Sequence, residues 1–290
     1  MNHIGGKATP RARSFMRLSG DSGDGAAIRL VRELVRALRL TDPEGSWSFL
    51  RLIDGHGSRL GLWLNTTAGA HAALDDILHT AAGRPDRPVS VDRYEPPNGS
   101  DLPQGVAVDE NICTASSEFA LAVLGEQGRL ALDDPSPLAL LHLWRVLHLI
   151  RARDRSHFLF LYWRHGTVEL TPSARVALAS LTEARTSALL RATADLQLHP
   201  ATHQRHEHYL DALRRTVLTR RRLNNGPANY LVFTHSQLTD NRLGIPPSVA
   251  SGAAWALRAA IITDPTLATL PHRRRGAGAD RRGRRTTGAT

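Results

Sequence analysis

The chain has 290 residues and 41% hydrophobic content, enough for one large domain or two small ones with a real core. Its net charge is +10 and Lys7 is the sole lysine, so 36 of its 37 basic residues are arginine and the expected partner is anionic, a nucleic acid or an acidic peptide. Cys113 stands alone, which excludes an intrachain disulfide framework and a cysteine zinc site; no run has the length of a signal peptide or membrane span, so a soluble protein of the reducing cytoplasm is expected.

Residues 1–13 read as a flexible lead-in and Ser14–Ser19 as a short strand. Asp24 is placed to cap a helix over Ala26–Arg39, where Ile28, Val31, Leu34, Val35 and Leu38 share one face. Arg29, Arg32 and Arg36 lie elsewhere on that helix, as a candidate basic stripe. Asp42-Pro-Glu-Gly45 breaks it.

Next come two strands around a Gly-rich turn, Ser46–Asp54 and Arg59–Leu64. The period of two sets Leu60, Leu62 and Leu64 on one face and Arg59, Gly61 and Trp63 on the other. In the first strand Trp47, Phe49 and Arg51 alternate with Ser48, Leu50 and Leu52. The expectation is that the leucines sit under helices while Trp47, Phe49, Arg51 and Trp63 share the free face. Strict alternation then takes Ser48 away from Arg51 unless the strand bulges.

A helix over 68–82 and a strand over Pro88–Tyr94 complete the order β-α-β-β-α-β, the split pattern of ferredoxin-like folds, with both helices on one face of the sheet. The fold class expected is therefore α+β. Glu95–Pro103 is a loop by composition. Beyond it the chain is helical, with helices over Val108–Glu126, Pro137–Arg153, Ser173–Ala192, Thr202–Leu223, Ala228–Asp240 and Ser248–Ile262. Ser156–His165 reads as a helix or, through Phe-Leu-Phe-Leu-Tyr-Trp, as a buried strand. This helical half is expected to pack on the other side of the sheet. The division is 14–104 for the ferredoxin-like part, 105–265 for the helical part and 266–290 for a disordered Arg-rich tail carrying Arg273–Arg275 and Arg281–Arg285.

The isolated motifs exclude more than they assign. His203, His206 and His208 do not share a helix face and read as a solvated helix start. His142 and His148 lie among leucines, as core or groove histidines. Gly20–Gly25 lacks the Lys-Ser/Thr of a P-loop, and no serine sits in a nucleophile elbow.

Four blocks remain, Phe49-Leu-Arg-Leu-Ile-Asp54, Arg59-Leu-Gly-Leu-Trp63, Tyr94-Glu-Pro96 and Thr234-His-Ser-Gln-Leu-Thr-Asp-Asn-Arg-Leu-Gly244. Their order and spacing resemble the elimination domain of lantibiotic-type dehydratases and its relatives in thiopeptide biosynthesis. That family runs Phe-Ile-Arg-Tyr, His-Leu-Arg-Leu-Arg, Tyr-Glu-Pro-Glu, a helix near "Asp-Ser", and His-Met-His-x-Asn-Arg-Leu-x-Gly. Ser116–Leu124 matches the "Asp-Ser" helix, and the resemblance spans roughly Ser14 to Ile262.

Arg51, Asn241 and Arg242 are kept, whereas Arg59, Gly61 and Trp63 replace the His-Arg-Arg set and Gln237-Leu-Thr239 replaces His-Met-His. Two arginines lost to Gly and Trp remove anion-binding charge and add flat apolar surface, which does not suit glutamate elimination. The branch that lacks the elimination residues is the thiopeptide pyridine synthases. These join two dehydroalanines in a formal [4+2] aza-cycloaddition and then release water and the leader peptide.

The resemblance implies a lyase-type enzyme with Ser48, Tyr94, His235 and Gln237 as hydrogen-bonding or acid/base groups. It implies Trp47, Phe49, Arg51, Trp63, Asn241 and Arg242 as substrate contacts, and Arg29, Arg32 and Arg36 as a surface for an acidic leader. It calls for no metal or organic cofactor, and a homodimer is possible. Tyr94 reads equally as a buried strand-end tyrosine, and Arg51 with Arg242 as a pair tying sheet to helix. The rival readings are a stand-alone eliminase with a separate glutamylation partner, an Arg-rich nucleic-acid-binding protein and a non-catalytic peptide-binding scaffold.

Overall fold

The computed structural model describes residues 11–20, 24–54, 57–82, 89–93, 109–130, 134–223, 228–264 and 266. The N-terminal half runs β1 (Arg11–Gly20), α1 (Asp24–Thr41), β2 (Ser46–Asp54), β3 (Gly57–Thr67), α2 (Ala68–Ala82) and β4 (Val89–Arg93). Among the described residues these strands form one antiparallel sheet in the order β2-β3-β1-β4. That order, with α1 and α2 on one face, is the ferredoxin-like arrangement, and the chain is α+β. Of the lead-in expected over 1–13, residues 11–13 belong to β1; residues 1–10, Tyr94, the Glu95–Pro103 loop and residues 267–290 of the Arg-rich tail lie outside the described residues.

The apolar stripe of α1 closes over the sheet as its spacing predicts. Val31, Leu34 and Leu38 join Met16, Leu18, Leu60, Leu62 and Leu64 in one core. The register of β2 on β3 decides which β2 residues join them. Asp54 pairs with Gly57, so Trp47 faces Leu64, Phe49 faces Leu62 and Arg51 faces Leu60. Residues directly opposite in an antiparallel pair share a face. Trp47 and Phe49 therefore lie in the core under the helices, 2% and 0% exposed, and not on the free face as expected. Ser48 faces Trp63 and reaches the open face without any bulge.

The C-terminal half contains α3 (Glu110–Leu130), α4 (Ser136–Leu147), a 3-10 turn (Ala152–Asp154), α5 (Arg155–Gly166), α6 (Pro172–Asp195), α7 (Pro200–Leu223), α8 (Ala228–Leu243) and α9 (Pro247–Thr263). The ambiguous Phe-Leu-Phe-Leu-Tyr-Trp run is helical, in α5. Phe158, Leu159 and Tyr162 are its buried side chains; this spacing is that of one helix face and not of a strand. Among the described residues the helical half meets the sheet mainly along the outer edge of β2, through α3 and α8. Arg39 and Glu118, 2.5 Å apart, and Arg32 Nη2 donating to Leu121 O at 3.0 Å tie α1 to α3.

Inside the helical half, His142 and His206 are fully buried and Phe119 stacks on His206 with ring centroids 4.2 Å apart. Arg145 reaches His206 Nδ1 at 3.2 Å and pairs with Glu207. Among the described residues no group of three or more His, Cys, Asp or Glu is placed to hold a metal ion. No described helix is long and apolar enough to cross a membrane.

Candidate functional site

Two surfaces of β2 organise the candidate site. The first is its outer edge. An edge strand exposes backbone donors and acceptors that need partners. Here helix side chains supply them. Trp47 N–H donates to Thr114 Oγ1 at 3.2 Å, and the Thr114 hydroxyl donates back to Trp47 O at 2.9 Å. Phe49 N–H donates to Ser117 Oγ at 3.2 Å, and Arg242 Nε donates to Phe49 O at 2.8 Å. Arg51 N–H donates to Asn241 Oδ1 at 2.8 Å, and Asn241 Nδ2 donates to Arg51 O at 3.0 Å. The Asn241 amide thus stands in for the peptide group of a missing neighbour strand.

The end of α8 is built for this clasp. Gly244 N–H donates to Asn241 O and Ile245 N–H to Asp240 O, the paired bonds of a Schellman ending, with Gly244 at φ +74°. A Cβ at Gly244 would lie 3.1 Å from Arg51 Cζ, Nε and Nη2, so glycine also lets the guanidinium lie against the helix end. Arg51 Nε donates to Arg242 O at 3.4 Å, and burial lowers the Arg51 pKa.

Several expected site residues are therefore structural. Arg242 is fully buried, and its Nη1 donates to Ser116 Oγ at 3.1 Å besides the bond to Phe49. It braces the fold and has no face to offer a substrate. His235 is fully enclosed in α8, where burial first and the Arg242 charge second push its pKa down to about 3. A proton donor or acceptor for a bound peptide needs contact with it, and His235 has none. Trp47 and Phe49 leave the substrate-contact set for the core. Arg32 is half-buried and donates to Leu121 O, so the exposed arginines of the basic stripe are Arg29 and Arg36. Gln237 is half-buried one turn before Asn241, on the same stripe of α8.

The second surface is the open face of the sheet. Register places Ser48, Leu50 and Leu52 of β2, Arg59, Gly61 and Trp63 of β3, and Arg13, Phe15 and Arg17 of β1 on it. Phe15 lies opposite Trp63, their ring centroids 4.5 Å apart. Glu110 closes one corner, accepting from Arg13 at 2.7 Å, Ser46 at 3.0 Å and Asn65 Nδ2 at 3.1 Å. Ser48, Trp63, Leu52, Arg17 and Arg59 keep partial exposure.

Phe15, Leu50 and Leu52 are the open-face residues the sequence reading passed over. The alternation Arg13-Phe15-Arg17 was visible, but its face was not assignable without the pairing of β1 to β3. Beneath α8, Tyr162 donates to Asp240 Oδ2, and burial pushes the Asp240 carboxyl up to about 7, the Tyr162 bond opposing. It is enclosed on every side and belongs to the packing of α5 on α8.

No family model and no curated protein matches this sequence. Solved structures do match. The pyridine synthase TbtD from thiomuracin biosynthesis aligns with a TM-score of 0.56 at 16% identity, over 86% of this chain and 98% of that one. TsrL aligns with a TM-score of 0.52 at 13% identity, over 90% of this chain and 99% of that one. The tRNA dependent lantibiotic dehydratase MibB from Microbispora sp. 107891 aligns with a TM-score of 0.58 at 17% identity, over 88% of this chain but only 28% of that one. At such identities the likeness is one of fold. The chain has the fold of a thiopeptide pyridine synthase and of one part of a lantibiotic dehydratase.

Proposed function

We propose that the protein is an enzyme of modified-peptide biosynthesis that forms the pyridine of a thiopeptide macrocycle from two dehydroalanines of a leader-bearing precursor. What supports the reading is one coincidence. The fold is that of a pyridine synthase, and the β3 positions at which the dehydratase motif carries arginine are Gly61 and Trp63, on an open face next to the Ser48 hydroxyl. That surface suits an uncharged, unsaturated peptide segment better than a glutamyl ester.

The reaction needs an amide tautomerised to an iminol and two alkenes held face to face. Ring closure followed by loss of water and of the leader amide gives the aromatic ring, so the step calls for no external oxidant. Ser48, Gln237 and Tyr94 are the proposed hydrogen-bonding and proton-moving groups. Arg51 and Asn241 hold β2 in place, and Trp63 is the apolar contact. Orienting two tethered groups supplies much of the acceleration, within an upper bound of about 7–11 kcal/mol. Arg29 and Arg36 are the proposed contacts to an acidic leader.

The test is incubation of purified protein with a leader-bearing peptide that carries two dehydroalanines. The expected product has lost the mass of water plus the leader amide. Unchanged substrate in the presence of folded protein sinks the reading. Conversion of a glutamylated peptide to dehydroalanine would replace it with elimination.

A further inference from the structure

We propose that the outward face of the α6–α9–α5 layer is a self-association surface: an aromatic strip centred on Trp255 that packs against the same strip of a second copy about a two-fold axis.

Helix α6 shows the need for a partner. It runs 24 residues, yet Thr193 is its one buried side chain. Helix α7 has the same length and buries Tyr209, Leu210, Leu213 and Val217 along one stripe. A helix in a globular protein is held chiefly by the packing of one face on its neighbours. α6 packs on α4 and α9, and leaves Val176 67% exposed.

The strip itself is carried by α9, which lies between α6 and α5. By helical spacing Gly252, Trp255, Ala259 and Ile262 point outward from it, and Ile262 is 55% exposed. Trp255 is half-buried, its ring centroid 4.6 Å from that of Trp163 in α5. Phe160 extends the strip, 5.9 Å from Trp163. Arg258 lies over the Trp255 ring at 5.2 Å and over Phe160 at 5.7 Å. Tryptophan and arginine packed together in this way are the side chains that carry most binding energy at protein interfaces.

Size and charge select a second copy as the occupant. At a rise of about 1.5 Å per residue and helix spacings of about 8–10 Å, helices of 24, 17 and 12 residues present roughly 700 Å² together. A standard interface takes about 800 Å² from each partner. The chain carries +10 overall, so a face that meets its own copy must be close to neutral. The charged groups bordering this one are Glu183 and Asp264 against Arg164, Arg191 and Arg258. Glu183 accepts from Trp255 Nε1 at 2.9 Å while Arg258 stacks on the same indole, so opposite charges flank the centre. A two-fold axis through Trp255, perpendicular to the line between them, sets the Glu183 of each copy against the Arg258 of the other.

The test is sedimentation velocity of the full chain between roughly 1 and 100 μM, the range over which micromolar dimers dissociate. A concentration-dependent dimer is expected. Val176→Asp and Ile262→Asp, both at exposed positions, should each weaken it at least about tenfold. Glu183→Arg and Arg258→Glu should each abolish the dimer by themselves, yet form a mixed dimer when combined, since both contacts then pair opposite charges again. Thermal melts report that each variant folds; should Arg258→Glu fail to fold, the two aspartate variants decide. A wild-type chain that stays monomeric throughout the range overturns the inference. So does a dimer unchanged in folded V176D and I262D, or a mixture of folded E183R and R258E that associates no better than either protein by itself.

Discussion

Asp240, His142 and His235 are buried titratable side chains whose shifts oppose one another. Burial holds the two imidazoles at about 3, against an ordinary 6.5. The unfolded chain then binds more protons between those values, so the stability they contribute is complete above pH 6.5 and is lost as pH falls towards 3. The Asp240 carboxyl, raised to about 7 from 3.8, contributes stability that is complete below 3.8 and is lost as pH rises through 7. Two groups outweigh one, so stability should rise from pH 4.5 to pH 6.5 in urea titrations. Asp240→Asn removes the opposing arm. Its stability relative to wild type should therefore improve from pH 6 to pH 8, and an identical pH dependence in both proteins would show that Asp240 ionises as freely in the fold as outside it. None of these three shifts was legible in the sequence, because each arises from burial between helices distant in the chain.

Among the elements, β2 is held by helix side chains where a neighbouring strand would ordinarily pair. Asn241→Ala leaves the Arg51 amide and carbonyl without their partner, and should cost about 1–3 kcal/mol in urea denaturation. Hydrogen exchange at Arg51 should quicken while β1 and β3 stay protected. Gly244→Ala places a Cβ at φ +74° against the Arg51 guanidinium, and should cost about 1–2 kcal/mol. The elements themselves were readable. The apolar period of α1 and the Gly-Pro breaks place the elements in the right order, but α4 stops at Leu147, six residues short of the expected Arg153, and β1 starts three residues before the expected Ser14. The pairing of β2 with β3 was not. Trp47 with Phe49 and Ser48 with Leu50 alternate equally well, and the register of β2 on β3 decides which pair meets the leucines. A register shifted by one residue would exchange the two faces.

At the scale of the whole molecule, the excess positive charge and the exposed arginines Arg29 and Arg36 give a prediction that does not depend on catalysis. An acidic leader peptide should bind several-fold more weakly at 300 mM than at 50 mM salt, measured by fluorescence anisotropy. Arg29→Ala with Arg36→Ala should flatten that dependence, and a salt response unchanged in the double variant would move the leader elsewhere. By itself the sequence determined the α+β class, the order of the elements and the blocks that resemble a known peptide-modifying fold, because periodicity, caps and breakers are local. Only the tertiary structure decided what those blocks do. Asn241 and Arg242, which read as substrate contacts, fasten the edge of β2; His235 is sealed in; and Ser48 joins Trp63 and Phe15 on the open face. Pairing register and helix docking join residues up to 193 positions apart, as between Phe49 and Arg242, and no local pattern encodes which face or edge such a contact uses.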